Sequence, residues 1–131
     1  MPNEPQWLPI EVVVEINQSV VQITGETHFV RDRGLLESAL ARLQNAFAYG
    51  EEDMLVLAVR VMAGVAQSHA FEQGNKRTAF VAMVQCLNAN GFDLAIEDTE
   101  TWADLVISLI EHRSTEEEFA SALRPFVVPP S

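Results

Sequence analysis

Residues 54–91 read MLVLAVRVMAGVAQS HAFEQG NKRTAFVAMVQCLNANG, two apolar segments split by six residues that follow neither pattern. The first segment is apolar nearly all round, which predicts a buried helix at the centre of the fold, with Asp53 as its cap. The second predicts a helix from about Asn75 to Asn90, with Gly91 as its stop and Phe80, Val81, Val84 and Leu87 on its apolar face. The chain is then two central helices joined by a short, chemically rich loop, and the remaining segments must pack around that pair.

Working outward, a helix is expected from about Pro9 to Thr24. Pro9 suits a first helical position, Gly25 suits the stop, and Ile10, Val13, Val14, Val20 and Val21 share one face. The stretch ETHFVRDRG reads as a loop. Asp32 can cap a second helix through Ala48, on which Leu36, Ala39, Leu40, Leu43 and Phe47 recur at helical spacing. AYGEED is a turn. FDLAI alternates and predicts a single extended segment. Thr99 to His112 repeats the amphipathic pattern through Trp102, Leu105, Val106, Leu109 and Ile110. Ser114 with Glu117 forms a capping box for a last short helix ending near Pro125. The expected architecture is an all-α bundle of about six helices, one domain over residues 1–131 with frayed ends at 1–8 and 126–131.

Composition narrows the function. Eight Lys and Arg against 19 Asp and Glu give a formal charge of −11. A phosphate backbone repels such a domain, so direct nucleic-acid binding is not expected. Cys86 is the only cysteine, so no internal disulfide forms, which fits a reducing cytoplasm. The N-terminal MPNEPQWLPI lacks the basic region and apolar run of a signal peptide. The apolar run Met54 to Ala66 contains Arg60 and is too short to span a bilayer.

Two of the eight cations, Lys76 and Arg77, stand side by side in the loop HAFEQGNKRT. Gly74 permits a backbone angle that other residues resist, and Asn75 is a good N-cap. The free N–H groups of Lys76, Arg77 and Thr78 would then point out of a helix end that already favours an anion. A phosphate can dock there. His69 follows the buried helix directly and can act as a general base near neutral pH, with Phe71 turned into the core as the anchor of the loop. Spacing alone leaves a second reading open, an ordinary helix start with a solvated face. His28, His112 and Cys86 are scattered without metal-ligand spacing, which points to structural roles. Met54, Met62 and Met83 read as core.

The stretch HAFEQGNKRTA resembles the signature of the Fic/Doc family, His-Pro-Phe-x-Asp/Glu-Gly-Asn-Gly-Arg, in the Doc (death-on-curing) form that carries Lys in place of the last Gly. His69, Phe71, Asn75, Lys76, Arg77, Thr78 and Ala79 occupy those places. RDRGLLESALARLQNAFAYG resembles the Doc segment in which Asp-x-Gly-x-x-Glu opens a helix, here Asp32, Gly34 and Glu37, and LNANGFDL resembles the turn after the motif helix. The resemblance implies a compact helical fold with the motif loop between two central helices. It implies transfer of the γ-phosphate of ATP to a hydroxyl of elongation factor Tu by a toxin that a small antitoxin silences. The alternative is adenylyl transfer of the Fic type. His69 would be the base, and Gly74, Asn75, Lys76, Arg77 and Thr78 the phosphate cradle. Lys76, bulkier than glycine and charged, favours the kinase pose. The turn AYGEED stands where family members place a target-positioning flap.

Gln73 departs from the pattern. The family has Asp or Glu there, a carboxylate that helps bind Mg²⁺, and a neutral amide weakens that site. Three consequences stay open: Mg²⁺ held by the nucleotide, a carboxylate supplied from elsewhere, or a binding module that has lost its activity.

Overall fold

Helix ends in this chain are set by groups that satisfy the free backbone donors and acceptors of the first and last turns. The structure, a computed structural model of the 131-residue chain, describes residues 4–95, 107–109, 111 and 113–130. Helix α1 spans Ile10–Thr24, α2 Arg33–Ala48, α3 Met54–Ser68, α4 Asn75–Ala89 and α5 Glu116–Leu123, the last running into a 3₁₀ turn, Arg124–Phe126. Asp32 caps α2 by accepting from the Leu35 N–H at 3.1 Å, and Asp53 caps α3 by accepting from Leu55 at 3.0 Å and Val56 at 3.4 Å. Gly25 ends α1 with φ +76°, the left-handed angle expected of it. Pro9 is the N-cap of α1 rather than its first helical residue, because its carbonyl already accepts from Val12 and Val13.

The fold is all-α, as the periodicity predicts, with α3 as its hub. Eleven of the fifteen residues of α3 are buried, and the helix packs on α2 along one side and on α4 and α5 along others. Ala39 and Gly64 bring α2 and α3 close together: a Cβ on Gly64 would lie 3.1 Å from the Ala39 Cβ. Met54, Met62 and Met83 are core residues, each at most 8% exposed.

Three sequence expectations shift. The capping box of α5 pairs Thr115 with Glu118 and not Ser114 with Glu117: the Thr115 Oγ1 accepts from the Glu118 N–H, and the Glu118 carboxylate accepts from the Thr115 N–H, each at 3.1 Å. The Ser114 N–H still bonds back to the Ser108 carbonyl, so the helix starts one residue later. The extended segment is not solitary. Strand β1, Asp93–Leu94, pairs antiparallel with β2, Val127–Val128, in the register Asp93 with Val128 and Leu94 with Val127. Within the ends expected to fray, residues 6–8 and 127–128 make defined contacts. Gln6 and Asn90 exchange two hydrogen bonds, at 2.7 and 3.1 Å, Leu8 is buried, and Trp7 stands edge-on to Phe47 with ring centroids 5.7 Å apart. Of the helix expected over 99–112, residues 107–109 are helical and Leu109 is buried, while Trp102 and His112 lie outside the described residues. Among the described residues no helix is long and apolar enough to cross a membrane.

Because Gly64 has no slack toward Ala39, Gly64→Val should cost about 2 kcal/mol by overpacking and lower the thermal midpoint by several degrees. A melt followed by far-UV circular dichroism measures it.

Candidate active site

Six residues, His69 to Gly74, join α3 to α4, and their backbone is folded tightly. His69 ends α3 at φ 51°, ψ 35° and is the one residue other than glycine with positive φ among the described residues. A histidine held in that region costs on the order of 1–3 kcal/mol, which surrounding contacts must offset, and such outliers concentrate at functional positions. The twist turns the chain abruptly, leaving His69 exposed while Ala70 and Phe71, the next two residues, are 0% and 1% exposed. Phe71 is turned into the core.

Asn75 closes the loop. Its Oδ1 accepts from the Phe71 N–H at 3.1 Å and its Nδ2 donates to the Phe71 carbonyl at 2.8 Å. That double bond-back corrects the expected cap. The N-cap of α4 is Gly74, in the left-handed conformation at φ +77°, and Asn75 is the first helical residue. The amides without an intrahelical acceptor are therefore those of Gly74, Asn75, Lys76 and Arg77. Thr78 leaves the expected cradle: it is fully buried, its N–H donates to the Gly74 carbonyl at 2.9 Å, and its Oγ1 accepts from Asn17 at 3.0 Å.

Lys76 and Arg77 are exposed, and none of the ion pairs among the described residues uses either. Arg31, Arg33, Arg113 and Arg124 are paired with carboxylates, while Arg42 and Arg60 also stand outside these pairs. In a chain of charge −11, two adjacent exposed cations at a helix N-terminus make a local positive field that favours an anion.

The loop rests on α1, a contact sequence reasoning missed. Asn17 is fully buried, and its Nδ2 donates to the Gln73 carbonyl at 2.8 Å as well as to Thr78. Its Oδ1 stands 2.7 Å from His28 Nδ1. An amide oxygen only accepts, so His28 donates from Nδ1. The scattered His28 thus has the structural role expected of it, with its ring 6.4 Å from that of Phe71. The signal was present in the sequence: Asn17 lies four residues after Val13 and four before Val21, on the apolar stripe, where an amide needs a buried partner. Gly74 is pressed against the same surface. A Cβ there would meet Val21 Cγ1 at 2.9 Å and Asn17 Nδ2 at 3.2 Å.

The segment between α1 and α2 runs alongside the loop. Glu72 donates its N–H to the Phe29 carbonyl at 2.9 Å, Arg31 and Asp32 donate theirs to the Ala70 carbonyl at 2.7 and 3.1 Å, and the Arg31 guanidinium pairs with the Glu72 carboxylate. Thr27 donates its N–H to Gln73 Oε1 at 2.7 Å. These contacts bear on the expected Mg²⁺. The side-chain oxygen of Gln73 already accepts a hydrogen bond, and the neighbouring carboxylate of Glu72 is held by a cation. The loop's donors do not fit a protein-held divalent cation, which prefers uncommitted carboxylates. The Asp32, Gly34 and Glu37 segment serves α2, where Glu37 pairs with Arg33 at 3.3 Å.

Two features belong elsewhere. A cavity of about 580 Å³ lined by Arg42, Asn45, Tyr49, Glu51 and Arg60 opens at the α2–α3 turn, and none of the loop residues line it. Cys86 is fully buried, and burial pushes its thiol up to about 11, so it is no nucleophile at neutral pH.

The profile of the Fic/DOC family matches residues 7–87, more than half of the chain. The protein named Toxin Doc of Mycolicibacterium smegmatis is 36% identical over 101 residues, covering 74% of this chain and 77% of its own length. Protein kinase doc of Escherichia phage P1 is 25% identical over 115 residues, covering 87% and 90%.

Asn17→Ala would strand His28 Nδ1 and the Gln73 carbonyl, lowering stability by about 2 kcal/mol, measurable by urea titration. Gly74→Ala combines an unfavourable backbone angle with a 2.9 Å clash. It should cost at least about 1–3 kcal/mol, and a smaller loss would mean that α1 does not bear on the loop.

Proposed function

The chain belongs to the Fic/DOC family, and from that premise we propose that it is a Doc-type toxin that moves the γ-phosphate of ATP onto a hydroxyl of a protein target. Elongation factor Tu is the target that the family resemblance names, and modifying it inhibits translation in the cytoplasm. The observation that carries the reading is the placing of one exposed histidine, fixed by a left-handed turn, across a clamped loop from two unpaired cations at the start of α4.

In this reading the phosphates of ATP lie against the free amides of Gly74, Asn75, Lys76 and Arg77, with Lys76 and Arg77 balancing their charge. The imidazole of His69 takes the proton of the target hydroxyl. The hydroxyl oxygen then bonds to the γ-phosphorus as the bond to the β,γ-bridging oxygen breaks, and ADP leaves with the electron pair of that bond. Lys76, where Fic sequences have glycine, fills space next to the phosphates and favours γ over α transfer. Thr78 works beneath the cradle, not in it.

A small antitoxin is the expected partner. Ile23, Phe29 and Leu35, 82%, 57% and 47% exposed, stand at the end of α1, in the following segment and at the start of α2. They are the exposed apolar side chains that we assign to contact with such a protein. A second reading has one observation in its favour: because Gln73 is committed to Thr27, the chain could bind its partners on the Fic fold without catalysing transfer.

Incubation with elongation factor Tu and ATP labelled at either the γ- or the α-phosphorus separates these readings. Label from the γ position alone is expected, and His69→Ala should lower its transfer by roughly 100- to 10,000-fold, the usual weight of a general base. Label from the α position means adenylyl transfer. No transfer from either, or equal transfer by wild type and His69→Ala, sinks the catalytic reading.

A further inference from the structure

Gln73 is held at both ends. Its backbone carbonyl accepts from the buried amide of Asn17 at 2.8 Å, and its side-chain Oε1 accepts from the Thr27 N–H at 2.7 Å. It is the last stitch of a seam in which residues 27–32 run against 70–73: an isolated bridge pairs Val30 with Phe71, and hydrogen bonds from Arg31, Asp32 and Glu72 surround it. The stitch lies immediately before Gly74, so it fixes the carbonyl and side chain that lead into the free amides of α4. The other half of the Gln73 side chain is an NH₂ group, which only donates and repels a cation.

We propose that Gln73 is a positioning residue. Its amide clamps the motif loop to the segment between α1 and α2, and any divalent cation at this site is carried by the nucleotide phosphates without a side-chain ligand from the loop. This rests on the phosphoryl-transfer reading for the nucleotide and on the seam alone for the clamp. A carboxylate would do two jobs at this position, accepting from Thr27 with one oxygen and facing a cation with the other. The amide does the first only. The loop is therefore equally ordered with and without the metal.

The isosteric change Gln73→Glu and the truncation Gln73→Ala separate the two jobs, and the exposed side chain makes both compatible with folding. Hydrogen exchange of the Thr27 amide reads the clamp. Calorimetric binding of a non-hydrolysable ATP analogue, with MgCl₂ and with EDTA, reads the metal. Gln73→Ala should make the Thr27 amide exchange several-fold faster and weaken the analogue equally in both buffers, leaving the ratio of the two affinities as in the wild type. Gln73→Glu should keep Thr27 protected and widen that ratio by about 10- to 100-fold, the scale on which metal-site partners act. Equal exchange in wild type and Gln73→Ala overturns the clamp. A ratio that falls in Gln73→Ala overturns the metal half, because Gln73 would then be a ligand. If the analogue binds in neither buffer, the phosphoryl-transfer reading and the metal half fail together, while the exchange of Thr27 still decides the clamp.

Discussion

The contact of α1 with Gly74 is the constraint on which the site depends. Glycine lets the chain turn left-handed at this point and leaves no Cβ between the loop and Val21, so α1 lies close enough for Asn17 to reach two groups of the loop–helix junction. A single buried amide then ties α1 to the entry of α4 and, through His28, to the segment before α2. Its hydrogen bonds are made in an apolar setting, where each is stronger than in water and where losing one partner leaves the other uncompensated. The ordering of the exposed residues, His69, Lys76 and Arg77, is thus inherited from the buried groups beneath them.

The loop divides its residues by depth. Ala70, Phe71 and Thr78 face inward and hold the backbone. His69, Lys76 and Arg77 face outward and remain chemically uncommitted. Asn75 mediates: its side chain is spent within the loop while its N–H is left at the helix end. Such a division explains why a short motif needs so many specified positions, since half of them define the path and half the chemistry. Gln73 sits on the boundary, and its interactions place it with the structural half.

The helices were readable because each carries a period and a cap that agree: Asp32 and Asp53 both accept from the first turn they precede. Errors arose where the local sequence is degenerate. In STEEE, Ser114 with Glu117 and Thr115 with Glu118 satisfy the same capping pattern, and only the tertiary placing of Ser114 against Ser108 selects the second. Asn75 is a good cap by propensity, but its side chain had a better partner in Phe71, and Gly74 took the cap. The residues of the motif were legible as a set. Their support was legible only in part: the place of Asn17 on the apolar stripe calls for a buried partner without saying which, and Thr27 acts through a backbone N–H that leaves no mark in the sequence. The pairing of Asp93–Leu94 with Val127–Val128 was hidden for the same reason, two short segments each unremarkable alone.

The hydrogen bonds of Asn17 reach 56 and 61 residues along the chain. Contacts of that span close only against the chain entropy of a long loop. The pair α2–α3 is joined by a short turn and needs no such closure, whereas the loop has its full set of contacts only with α1 in place. A fragment that begins after the first helix lacks Asn17, and with it the bonds to Gln73 and Thr78.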